Sequence, residues 1–164
     1  MRTTVNALLW RSCNKATFDS LHGNSTGQYD IRFTRDPAIA SFFEGLEQDE
    51  LTEHGGYTLH ALIAPFDGPD PVAEFPLDVR YMGPNSIRKD WYMPSQRPDT
   101  AYPLWRPGRG VPESFKAAIS DYVLLVRDVD NAFHARWLRG TSLTLVPANV
   151  REAILSRASG VLVL

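Results

Sequence analysis

The chain of 164 residues has one cysteine, three lysines and no apolar run of membrane-spanning length. Cys13 alone can build neither a disulfide framework nor a thiolate metal site, so a reducing, intracellular compartment is the default expectation. Met1 to Leu9 is too short and too polar for a signal peptide; a cytoplasmic protein without membrane contact is expected.

Catalytic signatures are scarce as well. The four histidines (His22, His54, His60, His134) lack an i, i+4 or zinc-finger spacing. No Gly-x-Ser-x-Gly turn or phosphate-cradling glycine loop occurs. The nearest approach to the acid-x-Lys triplet of metal-dependent nucleases is Glu113-Ser-Phe-Lys116, which is one residue too long. His54 and His60, with Glu53 beside them, read more simply as loop histidines than as metal ligands. Cys13 reads as a small core residue rather than a nucleophile. No catalytic centre, metal or cofactor is expected within this chain.

The shortage of lysine is matched by fourteen arginines, whose planar forks fit phosphates and guanine edges. Charge is also unevenly placed. Residues 36 to 79 hold ten acids and no Lys or Arg. Residues 80 to 109 hold six bases against Asp90 and Asp99, and residues 1 to 35 hold five bases against Asp19 and Asp30. Net charge is only -2. Binding nevertheless responds to the local potential of one surface, not to the sum over the molecule. If the two basic segments meet, they form one cationic face suited to nucleic acid; chance clustering along strands and loops is the plainer alternative.

Most of the chain reads as short strands separated by Pro, Gly and Asp turns. Strands are expected over Leu8–Phe18, Gln28–Phe33, Tyr57–Ala64, Glu74–Tyr81, Asp121–Arg127, Ala132–Leu138 and Val161–Leu164, with a brief one near Leu104. The sixth and fifth of these form a hairpin through Asp128–Asn131. Pro76 lacks an amide donor, which predicts an edge position for its strand. One helix opens at Asp36-Pro37 and carries Ile39, Phe42, Phe43 and Leu46 at helical spacing. A second opens at Pro147, with Val150, Ile154 and Ala158 on one side and Gly160 as its stop. The sum is a single, mostly β domain of about six to eight strands with two helices plugging a barrel or pseudobarrel.

Two stretches look suited to contact. Ser20-Leu-His-Gly-Asn-Ser-Thr-Gly-Gln28 is a run of short hydrogen-bonding side chains, or simply a flexible hairpin loop. Gly83-Pro-Asn-Ser-Ile-Arg-Lys-Asp-Trp-Tyr-Met93 places Arg88, Asp90 and Tyr92 on one side of an extended strand and Lys89, Trp91 and Met93 on the other. Arg suits guanine O6 and N7, Asp accepts from cytosine, and Asn and Gln suit adenine. A surface β-arm with incidental salt bridges would look the same.

The polar arm, the strand Tyr29-Asp-Ile-Arg-Phe-Thr34, the helix start Asp36-Pro37, the basic arm Asn85-Ser-Ile-Arg-Lys-Asp-Trp-Tyr92 and the later Trp105-Arg-Pro-Gly-Arg-Gly110 follow one another in order. Together they resemble the B3-like DNA-recognition (effector) domains of restriction endonucleases, over about residues 8 to 160. The resemblance implies a seven-stranded open pseudobarrel with two short helices, gripping the DNA major groove with two arms. The N-arm would span about Lys15 to Arg32 and the C-arm about Tyr81 to Tyr92. It implies base readers His22, Asn24, Ser25, Thr26, Gln28 and Arg32 on the first arm. On the second it implies Asn85, Ser86, Arg88, Lys89, Asp90 and Tyr92, with Trp91 beside them. Arg11, Lys15, Arg80, Arg106 and Arg109 would hold phosphates, which position the duplex without specifying sequence.

The partners implied are double-stranded DNA, with a short G·C-rich, CCWGG-like site, and a linked nuclease domain. A different class of reading keeps a non-catalytic β-barrel module binding protein or carbohydrate through Trp91, Tyr92, Tyr102 and Trp105.

Overall fold

The structure is a computed structural model and describes residues 4–13, 30–33, 37–43, 56–63, 73–81, 91–94 and 121–164. The chain is mostly β. In order come β1 (Val5–Cys13), β2 (Asp30–Phe33), α1 (Pro37–Phe42), β3 (Gly56–Ile63), β4 (Ala73–Tyr81) and β5 (Trp91–Pro94). They are followed by β6 (Asp121–Asp128), β7 (Phe133–Leu138), a 3₁₀ helix (Gly140–Leu145), α2 (Ala148–Ser156) and β8 (Ser159–Val163). The strands line up as β2-β5-β4-β3-β7-β6-β1-β8. Two antiparallel halves, β2-β5-β4-β3 and β7-β6-β1-β8, join through one short parallel pairing of Ala61–Ile63 with Phe133–Ala135. β1 and β2, far apart in that order, touch one another, so the sheet curls. Among the described residues it does not close: β2 and β8 are its outermost strands.

The second half is buried on both faces. On one side Leu8, Trp10, Tyr122, Leu124 and Leu138 pack under Val150 and Ile154 of α2. On the other, Leu9, Cys13, Val123, Leu125 and Ala135 are buried, as are Ile39 and Phe42 of α1 and the following Phe43. This explains why β1 reads Ala-Leu-Leu-Trp without polar alternation, as strands covered on both faces do. Phe42 meets Phe43 and Phe133 edge-on, at ring centroid distances of 5.1 and 5.9 Å. The Cys13 thiol is fully buried; burial pushes its pKa up to about 12, against a smaller opposing pull from the Arg11 guanidinium. It behaves as a core residue.

Polar groups fix the turns. At the β6–β7 hairpin, Asp128 accepts the amides of Asp130 and Ala132, both at 2.9 Å, and the His134 ring at 3.1 Å. Asn131 takes a left-handed φ of 62°, a conformation its short polar side chain tolerates. Buried Asp121 pairs with Arg139 at 3.0 Å and accepts the Gly140 amide at 3.0 Å, which pins the start of the 3₁₀ helix.

Several expectations need correction. The described residues contain eight strands, within the six to eight read from the sequence and one more than the resemblance implies, and three helical segments rather than two. β4 is not an edge strand in the sheet order. Among the described residues β5 pairs β4 only at Arg80 and Tyr81, and at Pro76 the strand is paired with β3 alone, opposite His60, which leaves the missing amide without a lost ladder bond on the β5 side. Helix α2 ends at Ser156, since Arg157 is already extended with φ of -162°; Gly160 sits inside β8, not at a helix stop. A Cβ on Gly160 would lie 2.8 Å from the Trp10 ring and 2.6 Å from Arg157 Nε. The glycine is there to admit the indole. The expected strand near Leu104 lies outside the described residues, as does the beginning of the first helix at Asp36.

Candidate nucleic-acid interface

The two basic segments of the sequence do meet. β2 comes from the first and β5 from the second, and they pair antiparallel from Asp30↔Pro94 to Phe33↔Trp91. β5 in turn pairs with the end of β4 at Arg80↔Tyr92 and Tyr81↔Trp91. Register therefore puts Arg32, Tyr92 and Arg80 in one row across three strands. Residues directly opposite one another share a face, and successive strand residues alternate. Phe33 and Val79, the sequence neighbours of Arg32 and Arg80, are fully buried. The row thus lies on the face away from that core.

Its chemistry is simple. Two guanidinia flank a phenol, and the outer Cα positions are about 10 Å apart at ordinary strand spacing. Placing Tyr92 between the arginines avoids setting like charges directly opposite, which destabilises a sheet. All three side chains are half-buried, so their stems are held while the row borders solvent. The arrangement sets two positive charges along a line, the sign that a polyanion attracts. Edge strand β2 carries one end of it.

Trp91 belongs elsewhere. It stands opposite Phe33 and Tyr81, on the face of the core, with its ring 5.8 Å from that of Phe43. Of the two C-arm aromatics, Tyr92 is in the row and Trp91 supports it from behind. Arg11 lies on β1, in the other half of the sheet, opposite Val123 and Ser159 and on the face of Cys13. It is not part of the row. Lys15, His22, Asn24, Ser25, Thr26, Gln28, Asn85, Ser86, Arg88, Lys89, Asp90, Arg106 and Arg109 lie outside the described residues. Among the described residues no group of His, Cys, Asp or Glu could hold a metal, and no helix is long and apolar enough to cross a membrane.

Strand alternation alone gave the opposite faces of Trp91 and Tyr92. It could not give the row, because register depends on which strands pair and how far each is shifted. Sequence reasoning also passed over Arg127. Its Nη1 donates to the Phe42 carbonyl at 2.9 Å, its Nε donates to Asn131 Oδ1 at 2.9 Å, and its guanidinium carbon lies 5.9 Å from the centre of the Phe133 ring. Nothing in the sequence separates it from other strand arginines.

Comparison of the chain with protein-family models, with curated proteins and with solved structures finds no match.

Proposed function

We propose that this chain is a sequence-specific double-stranded DNA-binding domain, the effector or target-recognition part of a type II restriction endonuclease working in the bacterial cytoplasm. The observation that carries the reading is the convergence of two cationic segments, some sixty residues apart, on the Arg32–Tyr92–Arg80 row. In this reading the curled, open sheet is a B3-like pseudobarrel. The segments leading into β2 and β5 are its two arms, which enter the major groove. Arg32, Tyr92 and Arg80 lie at the root of both arms; because they share one row, Arg32 and Tyr92 pass in this reading from base edges to phosphates, alongside Arg80, where they set the arms' register on the duplex. His22, Asn24, Ser25, Thr26 and Gln28 on one arm, and Asn85, Ser86, Arg88, Lys89 and Asp90 on the other, read base edges. Cleavage belongs to a linked nuclease domain.

Arg88 and Lys89 favour guanine and Asp90 favours cytosine, so the target is short and G·C-rich, of the CCWGG type. Binding to duplexes that differ at single base pairs tests this directly. Arg88→Ala should cost about 1–3 kcal/mol at its own base pair and relax preference there, whereas Arg109→Ala should weaken all duplexes alike. Equal binding of every duplex by the wild-type chain would overturn the proposal.

A further inference from the structure

The other half of the sheet holds a cavity of about 560 Å³, within the range of small-ligand sites. Its floor is a cross-strand row. Val163 of β8 stands opposite Ala7 of β1, and Ala7 stands opposite Arg127 of β6. The row runs from a sheet edge, where Val163 is 72% exposed, across the small Ala7 to a guanidinium. The roof is α1, through Ala38, Ser41 and Phe42. Small residues at Ala7, Ala38 and Ser41 are what leave the space.

Two features mark this as more than a packing gap. The first is a β-bulge. Register moves from Val5↔Asp128 to Ala7↔Arg127, two residues on β1 for one on β6, so Asn6 is the extra residue, and it lines the cavity. Bulges re-aim side chains and are enriched beside binding sites. The second is the state of Arg127. It is fixed from three sides by Phe42, Asn131 and Phe133, yet it makes no ion pair with a carboxylate among the described residues. A guanidinium carries five N–H donors, and the Nε hydrogen and one Nη1 hydrogen are used. Three hydrogens, one on Nη1 and two on Nη2, remain to bind a carboxylate.

We propose that this cavity binds a small monocarboxylate with a short unbranched apolar tail. The carboxylate sits on Arg127, and the tail runs over Ala7 under α1 toward Val163. Two strand spacings separate the ends of the row, about 10 Å, which a chain of roughly six to eight carbons spans. The site lies in the half of the sheet away from the Arg32–Tyr92–Arg80 row and does not depend on the DNA reading.

Octanoate titrated into the full chain, followed by NMR chemical shifts, tests the proposal, with octanol as the uncharged probe of the same tail. Octanoate should bind, shifting the amides of Ala7, Ser41 and Arg127, and octanol should bind about tenfold more weakly, as expected for loss of a charged hydrogen-bonded pair. Arg127→Met should weaken octanoate to the level of octanol. Because Arg127 also holds Phe42, Ser41→Leu provides a second variant: it fills the cavity from an exposed roof position and should abolish both shifts while leaving the melting temperature unchanged. If Arg127→Met does not fold, the octanol comparison and Ser41→Leu decide. No shift up to the solubility limit, equal binding of the two probes, or octanoate binding unaffected by Ser41→Leu would overturn the proposal.

Discussion

The two halves of the sheet are built differently. In β7-β6-β1-β8, β1 pairs with β6 along nearly its whole length, from Val5↔Asp128 to Cys13↔Asp121, and large apolar side chains cover both faces. In β2-β5-β4-β3, the pairings that form the cationic row, four positions of β2 with β5 and two of β5 with β4 among the described residues, line up the half-buried Arg32, Tyr92 and Arg80. Two-sided apolar burial gives stability. A row of half-buried polar side chains meets solvent. The contrast separates a tightly packed scaffold from a row of polar side chains that the scaffold holds in register.

The contrast can be broken most severely at Trp10. It is almost wholly buried, and its Nε1 donates to the Arg157 carbonyl at 3.1 Å. Trp10→Ala should destabilise the fold by about 3–5 kcal/mol, read from urea denaturation, because the cavity cannot collapse under α2. Gly160→Ala comes next. Its new methyl meets the same indole, and a cost of about 1–3 kcal/mol is expected in the same assay. A stability change within experimental error for either variant would mean that this half is not the tightly packed scaffold.

A smaller effect is expected from pH. Burial of Asp128 opposes its charged form. The His134 ring and the amides of Ala132 and Asp130 outweigh that and hold its carboxyl below the usual value. A lowered folded-state pKa means that the charged carboxylate stabilises the fold fully above the unfolded value, about pH 4, and that this contribution is lost as pH falls through the folded value. Asp128→Asn should therefore flatten the fall in melting temperature as pH drops below about 4. An unchanged acid slope would show that the hairpin carboxylate is not the group responsible.

Much of this architecture was legible in the sequence where local rules decide. The β6–β7 hairpin, the helix with Ile39, Phe42 and Phe43 inward, and the strands over Gly56–Ile63 and Ala73–Tyr81 follow from periodicity and turn residues. What was illegible depends on partners distant in sequence. Gly160 looks like a helix stop, and only the approach of Trp10, 150 residues earlier, reveals why it is a glycine. Pro76 argues for an edge, and the answer depends on how far β5 extends along β4. The same applies to function. Arg32, Arg80 and Tyr92 could each be singled out in the sequence, but their common row is a product of register across three strands. Arg127 shows the converse, a residue whose interest arises entirely from the tertiary fold.

The central claim is that the row at the root of the two arms holds a polyanion. Duplex binding measured against salt concentration, for the wild-type chain and for Arg32→Gln/Arg80→Gln, tests it most directly. The wild type should lose affinity steeply as salt rises, and the double variant should show a log–log slope shallower by about two. Identical slopes, or a wild-type chain that ignores duplex DNA at low salt, would contradict it.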